Sequence, residues 1–213
     1  MGSHPEGGSS FRKLSTEEVL KGQVGLLEWE LEERERHHNE DHLTGATTRK
    51  VCESILEQSL KIVRGEVSEH RQGVEPLTEI SVVLLDLDHF KEVNDTFGHA
   101  EGDKILVRAV EVLRGQLRAT DTLARLGGDE FVILLPNSDA KDAMVVSEKL
   151  RSSLERDELL KEHKITASIG VCSSGTSETD DPKIFLSQAD KAAYEAKRGG
   201  RNKVVAYTKD LGE

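Results

Sequence analysis

Two features that would place a protein outside a reducing cytosol are scarce or missing in this chain. Only two of the 213 residues are cysteines, Cys52 and Cys172, too few for the disulfide framework of a small secreted protein. No apolar run approaches the roughly 20 residues that a membrane-spanning helix needs, and no signal peptide is visible. We therefore predict a cytoplasmic protein with no membrane span in this chain.

Positive charge is also scarce. Lys and Arg number 29 against 40 Asp and Glu, which gives a net charge of −11. Because nucleic acids and anionic membranes repel so acidic a chain, neither is an expected partner. Any phosphate group that the protein binds must be met by a few local cations. The eight histidines are scattered, and the sequence has no Cys/His pattern of a zinc site.

The composition fits one folded domain with an appendage, since 36% of the residues are hydrophobic and 32% are charged. Residues 1–13 resemble an expression-tag remnant and are predicted to be disordered. Residues 14–40 are predicted to form an N-terminal helix, and residues 41–209 the main domain. Apolar residues of this helix recur at alternating spacings of four and three, the pattern of a short coiled-coil seam (Leu20, Val24, Leu27 and Leu31). The apolar stripe packs either on its own domain or on a partner.

Two pairs of acidic residues stand at the ends of apolar strands. The run 80–85 is a predicted central strand and ends in Asp86-Leu87-Asp88, while Gly127-Gly128-Asp129-Glu130 separates predicted strands 122–126 and 131–135. If these strands are neighbours, up to four carboxylates converge. Two such charges about 4 Å apart repel by roughly 4 kcal/mol at an effective dielectric of about 20, and the arrangement is tolerable if a hard cation such as Mg²⁺ lies among them. The alternative is an ordinary acidic turn beside a solvated strand end.

The remaining pattern predicts alternating helices and strands. The element order is strand, helix pair, hairpin, helix, strand, helix and edge strand. The predicted helices cover residues 47–67, 104–118 and 140–154, and a last helix ends at Gly199-Gly200. Two further strands are predicted over residues 164–171 and 203–207. The polar segment 68–78 is predicted to be a loop.

Gly127-Gly128-Asp129-Glu130-Phe131 is the GGDEF signature, and the chain resembles the catalytic domain of diguanylate cyclases from about residue 41 to about residue 207. Further family motifs follow in the family's order, beginning with Asp41-His42-Leu43-Thr44-Gly45 and closing with the helix and turn around residues 184–202. The resemblance implies an α/β, ferredoxin-like sandwich, similar to polymerase palms and nucleotidyl cyclases. Its central sheet is mainly antiparallel, is flanked by helices and is preceded by a signalling helix that dimerises or transmits an input.

For function, the resemblance implies the condensation of two GTP molecules into cyclic di-GMP and two pyrophosphates by a homodimer. Two Mg²⁺ per GTP, or Mn²⁺ in their place, would balance the charge of the triphosphate and the acids. Asp86, the Leu87 carbonyl, Asp129 and Glu130 are the expected metal ligands. Glu130, as a ligand or as the base for the 3′-hydroxyl, and Lys91, beside the triphosphate, are the expected catalytic residues.

The substrate contacts follow from the chemistry of GTP. A carboxylate accepts hydrogen bonds from guanine N1–H and N2–H₂, which adenine lacks, so Asp103 with Asn94 is expected to select guanine. Phosphates are expected at Lys197 and Arg201, although cations at a helix C-terminus also simply balance its dipole. The remaining expected substrate-binding residues are His99 at the sugar or base, Phe90 at the pocket wall, and Gly127 and Gly128, whose backbone allows close approach.

The segment Arg118-Ala119-Thr120-Asp121 resembles the family's inhibitory product site. Five residues, 122–126, separate it from Gly127, which matches the spacing in the family. Arginine can bind phosphate or guanine bidentately, and aspartate can accept from guanine N–H groups. Cyclic di-GMP is therefore the expected product and inhibitor. One alternative is a non-catalytic receptor for GTP or cyclic di-GMP, and another is an enzyme that makes a different cyclic dinucleotide. An upstream sensor or partner protein would supply the input signal.

Overall fold

The computed structural model describes residues 39–67, 76–177, 179 and 181–211. The segment 1–13 and all but the last two residues of the predicted helix 14–40 lie outside this part of the chain. Within the described ranges, no helix combines the length and the apolar character that crossing a membrane requires.

The sheet is built around strand β2, whose nine residues are all buried. β2 pairs antiparallel with β4 on one side and with β5 on the other, and β3 pairs antiparallel with β4. Short strands β1 and β6 pair in parallel with β3 and β5 at the two edges, which gives the order β1-β3-β4-β2-β5-β6. The predicted mainly antiparallel sheet is confirmed. The strands are β1 Thr47–Thr48, β2 Ile80–Asp88, β3 Thr122–Gly127, β4 Glu130–Pro136, β5 Thr166–Ser173 and β6 Lys203–Ala206.

Helices cover both faces of this sheet. They are α1 Arg49–Val63, α2 Phe90–Phe97, α3 His99–Arg114, α4 Ala140–Arg156, α5 Glu158–Glu162 and α6 Pro182–Arg198. Side chains alternate along a strand, so Leu85 of β2 packs in a core with α2 to α5, whereas Leu84 packs in a second core with α1 and α6. The two cores make the sandwich that the resemblance implied.

The structure differs from the prediction most clearly at two helix starts or ends and in one additional helix. The helix predicted over residues 104–118 spans His99–Arg114 instead, because Gly115 caps it and residues 116 and 117 continue in turns. Thr47 and Thr48, predicted as the start of a helix, are drawn into the sheet by pairing with β3. Helix α5 was not predicted, and the Asp157 carboxylate caps it by accepting from the Leu160 N–H at 3.2 Å.

Candidate active site

Three acidic residues are neighbours near the end of β2. The β2–β4 register places Asp86 opposite Glu130, and the Leu87 N–H donates to the Asp129 carbonyl at 3.2 Å. Asp86 is buried, whereas Glu130 is exposed and Asp129 is half-buried. The predicted neighbourhood of the strand end and the glycine turn is therefore present. It follows from antiparallel pairing, since β4 begins where β2 ends.

The buried position of Asp86 is electrostatically costly. Burial raises the pKa of Asp86 to about 6, the charges of Asp129 and Glu130 act in the same direction, and the Lys197 ammonium opposes them from 2.7 Å. Burial lowers the pKa of Lys197, but hydrogen bonding to Asp86 and the charges of all three acids outweigh it, so this pKa is raised. The site therefore favours a cation at Asp86.

The donor set at this edge fits a hard divalent cation. Three carboxylates are available, from Asp86, Asp129 and Glu130, and such oxygen ligands suit Mg²⁺. In an extended strand the N–H and C=O of one residue point to the same side, so the Leu87 carbonyl also faces the glycine turn. Across the described residues, no group of three or more His, Cys, Asp or Glu side chains is already arranged around one point. Lys197 holds the Asp86 carboxylate instead.

Asp88 does not join the other acids. Its side chain is fully buried, and its oxygens accept from the Thr166 hydroxyl at 2.7 Å, the Ser168 hydroxyl at 2.7 Å and the Asn202 N–H at 3.1 Å. Of the four acids that could converge at this edge, Asp88 is therefore the one engaged elsewhere. The reason is that β5 and the turn after α6 supply Asp88 with donors that the strand sequence alone could not reveal.

The two cations predicted to bind phosphates reach this edge from α6 and the turn after it. Lys197 lies in the last turn of α6 and contacts Asp86, and the Arg201 Nε lies 3.9 Å from Asp88 Oδ1. The Arg201 side chain is half exposed. Both cations are therefore within reach of a ligand bound over the acids.

The glycine turn is open to solvent and is held from behind by an arginine. Gly127 and Gly128 have φ of 150° and 52°, and a Cβ on either would meet no atom within 4 Å. The Arg125 guanidinium donates to the Gly128 carbonyl at 2.8 and 3.0 Å and to Asp41 Oδ1 at 3.0 Å. This role of Arg125 was not predicted, because the only sign of it in the sequence is a place two residues before the glycine pair.

Helices α2 and α3 bring together the residues predicted to recognise guanine. A Cβ on Gly102 would lie 2.1 Å from Asn94 Oδ1 and 3.3 Å from the Phe90 ring, so these three residues are in close contact. Asp103 directly follows Gly102 and is exposed, as are His99 and Lys91. Asn94 and Phe90 thus pack against Gly102 of α3, and the three polar residues on these two helices are open to solvent.

The aromatic ring of Phe97, at the C-terminal end of α2, is not in the core. Its side chain is 61% exposed and packs edge-on against His163 at 5.1 Å between ring centroids.

The Arg-x-x-Asp segment lies in the connection between α3 and β3. The Arg118 N–H donates to Asp121 Oδ2 at 2.7 Å, which folds the four residues into a turn. Arg118 and Asp121 line a cleft of about 340 Å³ together with Arg114, Thr47 and Glu40. The cleft therefore has two arginines and two residues that precede α1, Glu40 and Thr47, in its lining.

Comparisons with known proteins agree with this fold. The family model described as "Diguanylate cyclase, GGDEF domain" matches residues 38–203. The chain is 40% identical over 135 residues to Diguanylate cyclase A of Treponema denticola, a match that covers 62% of this chain and 36% of that protein. It is 35% identical over 170 residues to Response regulator PleD of Caulobacter vibrioides, over 78% of this chain and 35% of the relative. The chain thus spans about a third of the length of these curated relatives.

Solved structures give the same family. The coiled coil and GGDEF domain of DgcB from Caulobacter crescentus, in complex with c-di-GMP, matches with a TM-score of 0.73 and 28% identity, over 88% of this chain and 95% of that one. Diguanylate cyclase SiaD from Pseudomonas aeruginosa, in complex with its activator SiaC, matches with a TM-score of 0.67 and 30% identity, over 88% and 69%. On its sequence, its fold and the placing of its acids, this chain belongs to the diguanylate cyclase GGDEF domain family.

Proposed function

We propose that this chain is a diguanylate cyclase, which condenses two GTP molecules into cyclic di-GMP and two pyrophosphates. The observation that carries the proposal is the pairing of Asp86 with Glu130 across β2 and β4, beside an intact glycine turn. The family supports the same reaction, since relatives named as diguanylate cyclases match at 40% identity. Removal of any one acid would weaken this interpretation, and all three are present.

The chemistry assigned to the site is a phosphoryl transfer at the α-phosphate. The 3′-hydroxyl oxygen of one GTP forms a bond to the α-phosphorus of the other, the bond to the β-phosphate oxygen breaks, and pyrophosphate leaves. Glu130 would take the hydroxyl proton or would help to hold a second metal ion. Two Mg²⁺ ions, held by Asp86, the Leu87 carbonyl, Asp129 and Glu130, would supply charge neutralisation at the triphosphate, and Mn²⁺ would serve in their place.

Cations of the chain complete the triphosphate site. Lys197 and Arg201 approach the acids from α6 and the turn after it, and Lys91 lies on the exposed face of α2. Each would stabilise charge on the phosphates as it grows in the transition state. In an acidic chain these local cations are what allows a triphosphate to bind.

Guanine is assigned to the surface between α2 and α3. Asn94 packs over Gly102 and beside Phe90, and Asp103 stands next in the chain. Asp103 would accept from the N1–H and N2–H₂ groups of guanine, Asn94 would bond the base edge and His99 would contact the sugar or base. An adenine there would leave polar groups unpaired, at a cost of about 1–3 kcal/mol.

Each domain holds one GTP, so the reaction requires two copies of this chain face to face. One loaded half-site lacks the second nucleophile, and the rate would therefore rise steeply with dimerisation. Segment 14–40, which the sequence predicts to be a helix, is assigned to dimerisation or input. An upstream sensor or partner protein would act through it, and SiaD is one matching structure solved with an activator.

Product inhibition is assigned to the cleft at Arg118 and Asp121. The exposed guanidinium of Arg118 would bind a phosphate or the guanine edge of cyclic di-GMP. Asp121 has one oxygen engaged by the Arg118 N–H and a second that could accept from guanine.

The competing function is a non-catalytic receptor for GTP or cyclic di-GMP. Incubation of the protein with GTP, ATP and Mg²⁺, followed by mass analysis of the products, separates the candidates. Cyclic di-GMP as the product supports the proposal. A mixed or adenine-containing product would identify a different cyclase, and nucleotide binding without turnover would identify a receptor.

A further inference from the structure

The turn after α6 has an unusual backbone. Gly200, Arg201 and Asn202 follow one another with φ of 106°, 62° and 47°. Left-handed conformations are unfavourable for residues that have a Cβ. Two such residues in succession persist only where the surrounding contacts hold them.

Helix capping explains only the first of the three. The Gly200 N–H donates to the Lys197 carbonyl at 3.3 Å, and the Arg201 N–H donates to the Ala196 carbonyl at 3.0 Å. This pair of bonds is the Schellman motif, which requires the left-handed conformation at Gly200. The Schellman motif does not explain why Arg201 and Asn202 also adopt left-handed conformations.

Asn202 is held on three sides. Its N–H donates to Asp88 Oδ2 at 3.1 Å, its Nδ2 donates to Glu155 Oε1 at 2.7 Å, and its Oδ1 accepts from Arg151 Nη1 at 2.6 Å. Arg151 is itself fixed, because its side chain is mostly buried and pairs with Glu148 at 2.6 Å and with Glu155 at 2.8 Å. These partners lie on α4 and β2, so the turn is tied to two other elements.

We propose that Asn202 is a positioning residue for the triphosphate site, because it fixes the backbone from which the Arg201 side chain projects toward ligand. This inference rests on the proposed function, in which Arg201 binds phosphate. Asp88, the acid that does not join the metal ligands, holds the same turn from β2 and lies 3.9 Å from Arg201 Nε. The chain thus uses a buried acid and an amide to hold a phosphate-binding cation in place.

The residue type at position 202 is constrained by its neighbours. Glu155 needs a donor and Arg151 needs an acceptor, and an amide supplies both from one short side chain. Asparagine also tolerates the left-handed conformation better than most residues. An aspartate would keep the acceptor for Arg151 but would place a second carboxylate against Glu155.

Asn202→Gly removes the side-chain contacts while keeping a backbone that adopts positive φ. A matched control is Asn137→Gly, since Asn137 has φ of 50°, accepts from the Thr78 N–H at 2.9 Å and lies at the opposite end of β2. Binding of the α,β-methylene analogue of GTP with Mg²⁺, and of guanosine alone, is measured by calorimetry. We expect Asn202→Gly to weaken the analogue about tenfold, the order of one hydrogen bond to a charged group, and to leave guanosine unchanged.

The outcomes are distinct. If Asn202→Gly and the unaltered protein bind the analogue with equal affinity, the inference is overturned. It is also overturned if Asn202→Gly loses as much affinity for guanosine as for the analogue, because that would show a general structural effect. If the unaltered protein binds no analogue, the proposed function fails as well. Asn202→Asp, which keeps the left-handed tendency and the Arg151 contact, should weaken the analogue in the same direction if the glycine variant does not fold.

A double-mutant cycle tests whether Asn202 acts through Arg201. Binding of the same analogue is compared for Asn202→Gly, Arg201→Ala and the double variant. Because a positioning residue has no effect once the residue that it positions is gone, the double variant should bind as weakly as Arg201→Ala alone. If the two fold-losses multiply instead, Asn202 acts elsewhere and the inference is overturned.

Discussion

The Lys197 ammonium lies 2.7 Å from the Asp86 carboxylate, so the protein places one of its own cations against the most buried acid of the site. Asp86 is buried and has Asp129 and Glu130 as neighbours, whose charges oppose its ionisation. Lys197 therefore offsets part of the cost of burying Asp86. The free energy of unfolding should therefore depend on the ion pair between Lys197 and Asp86.

Replacement of Lys197 by methionine should destabilise the protein. The loss leaves Asp86 buried with only acidic neighbours. Breaking a fully buried pair costs roughly 3–5 kcal/mol, and because Lys197 is 38% exposed we expect about 1–2 kcal/mol. Urea unfolding at neutral pH measures the change. Lys191→Met, at an exposed position of the same helix, is the control and should leave the free energy of unfolding nearly unchanged. Equal stability of the two variants would contradict a stabilising role for the ion pair between Lys197 and Asp86.

Glu130→Gln should abolish turnover without loss of nucleotide binding. The substitution keeps the size of the side chain but removes the charge that would take the 3′-hydroxyl proton or hold the second metal ion. A fall of about 10²–10⁴-fold in kcat is expected for a lost proton acceptor. Product formation and analogue binding are measured in parallel. Glu53→Gln, at another acid lining the cleft beside Glu130, is the control, and undiminished turnover in Glu130→Gln would refute the assignment.

Arg118→Ala should relieve inhibition by the product. Strand β3 lies between Asp121 and the glycine turn. The length of this six-residue strand, about 20 Å at roughly 3.3 Å a residue, therefore separates the two sites. We expect cyclic di-GMP to inhibit at a concentration at least about tenfold higher, which corresponds to 1.4 kcal/mol. Progress curves with added product measure this, with Arg156→Ala as a surface control. Unchanged inhibition would remove Arg118 and Asp121 from the product site.

Asp41 should contribute a stability that disappears in acid. Burial raises the pKa of Asp41, but hydrogen bonds from Thr44 and Arg125 outweigh it, so this pKa lies below its usual value. A lowered pKa stabilises the fold above the unfolded value of about 3.9, and the contribution is lost as pH falls through the folded value.

Asp41→Asn should therefore lower the free energy of unfolding by about 1–2 kcal/mol at pH 7. The difference from the unaltered protein should shrink between pH 4 and pH 3. Urea unfolding at pH 7, 5, 4 and 3 gives the comparison. A difference that stays constant over this range would mean that the Asp41 charge is not the source.

Much of the site could be predicted from local sequence. The apolar run that precedes Asp86 marks a buried central strand, and the glycine pair before Asp129 marks a hairpin turn, so both acid positions follow from short patterns. Gly199 and Gly200 likewise indicate the end of α6, because a helix end is a local event. The local patterns also indicated the order of the elements, and the family resemblance added the mainly antiparallel sheet.

The partners of these residues were decided by the tertiary structure alone. Strand periodicity places Asp86 and Asp88 on one face, yet only the packing of β5 and the turn after α6 gives Asp88 three donors and leaves Asp86 at the site. Arg125 meets Asp41 across 84 positions of the chain. Sequence patterns report which backbone a segment adopts and which face it buries, whereas contacts between distant segments depend on how helices and strands pack. For this reason the sequence by itself determined the acids, the turn and the sheet, and the fold decided which cation each acid meets.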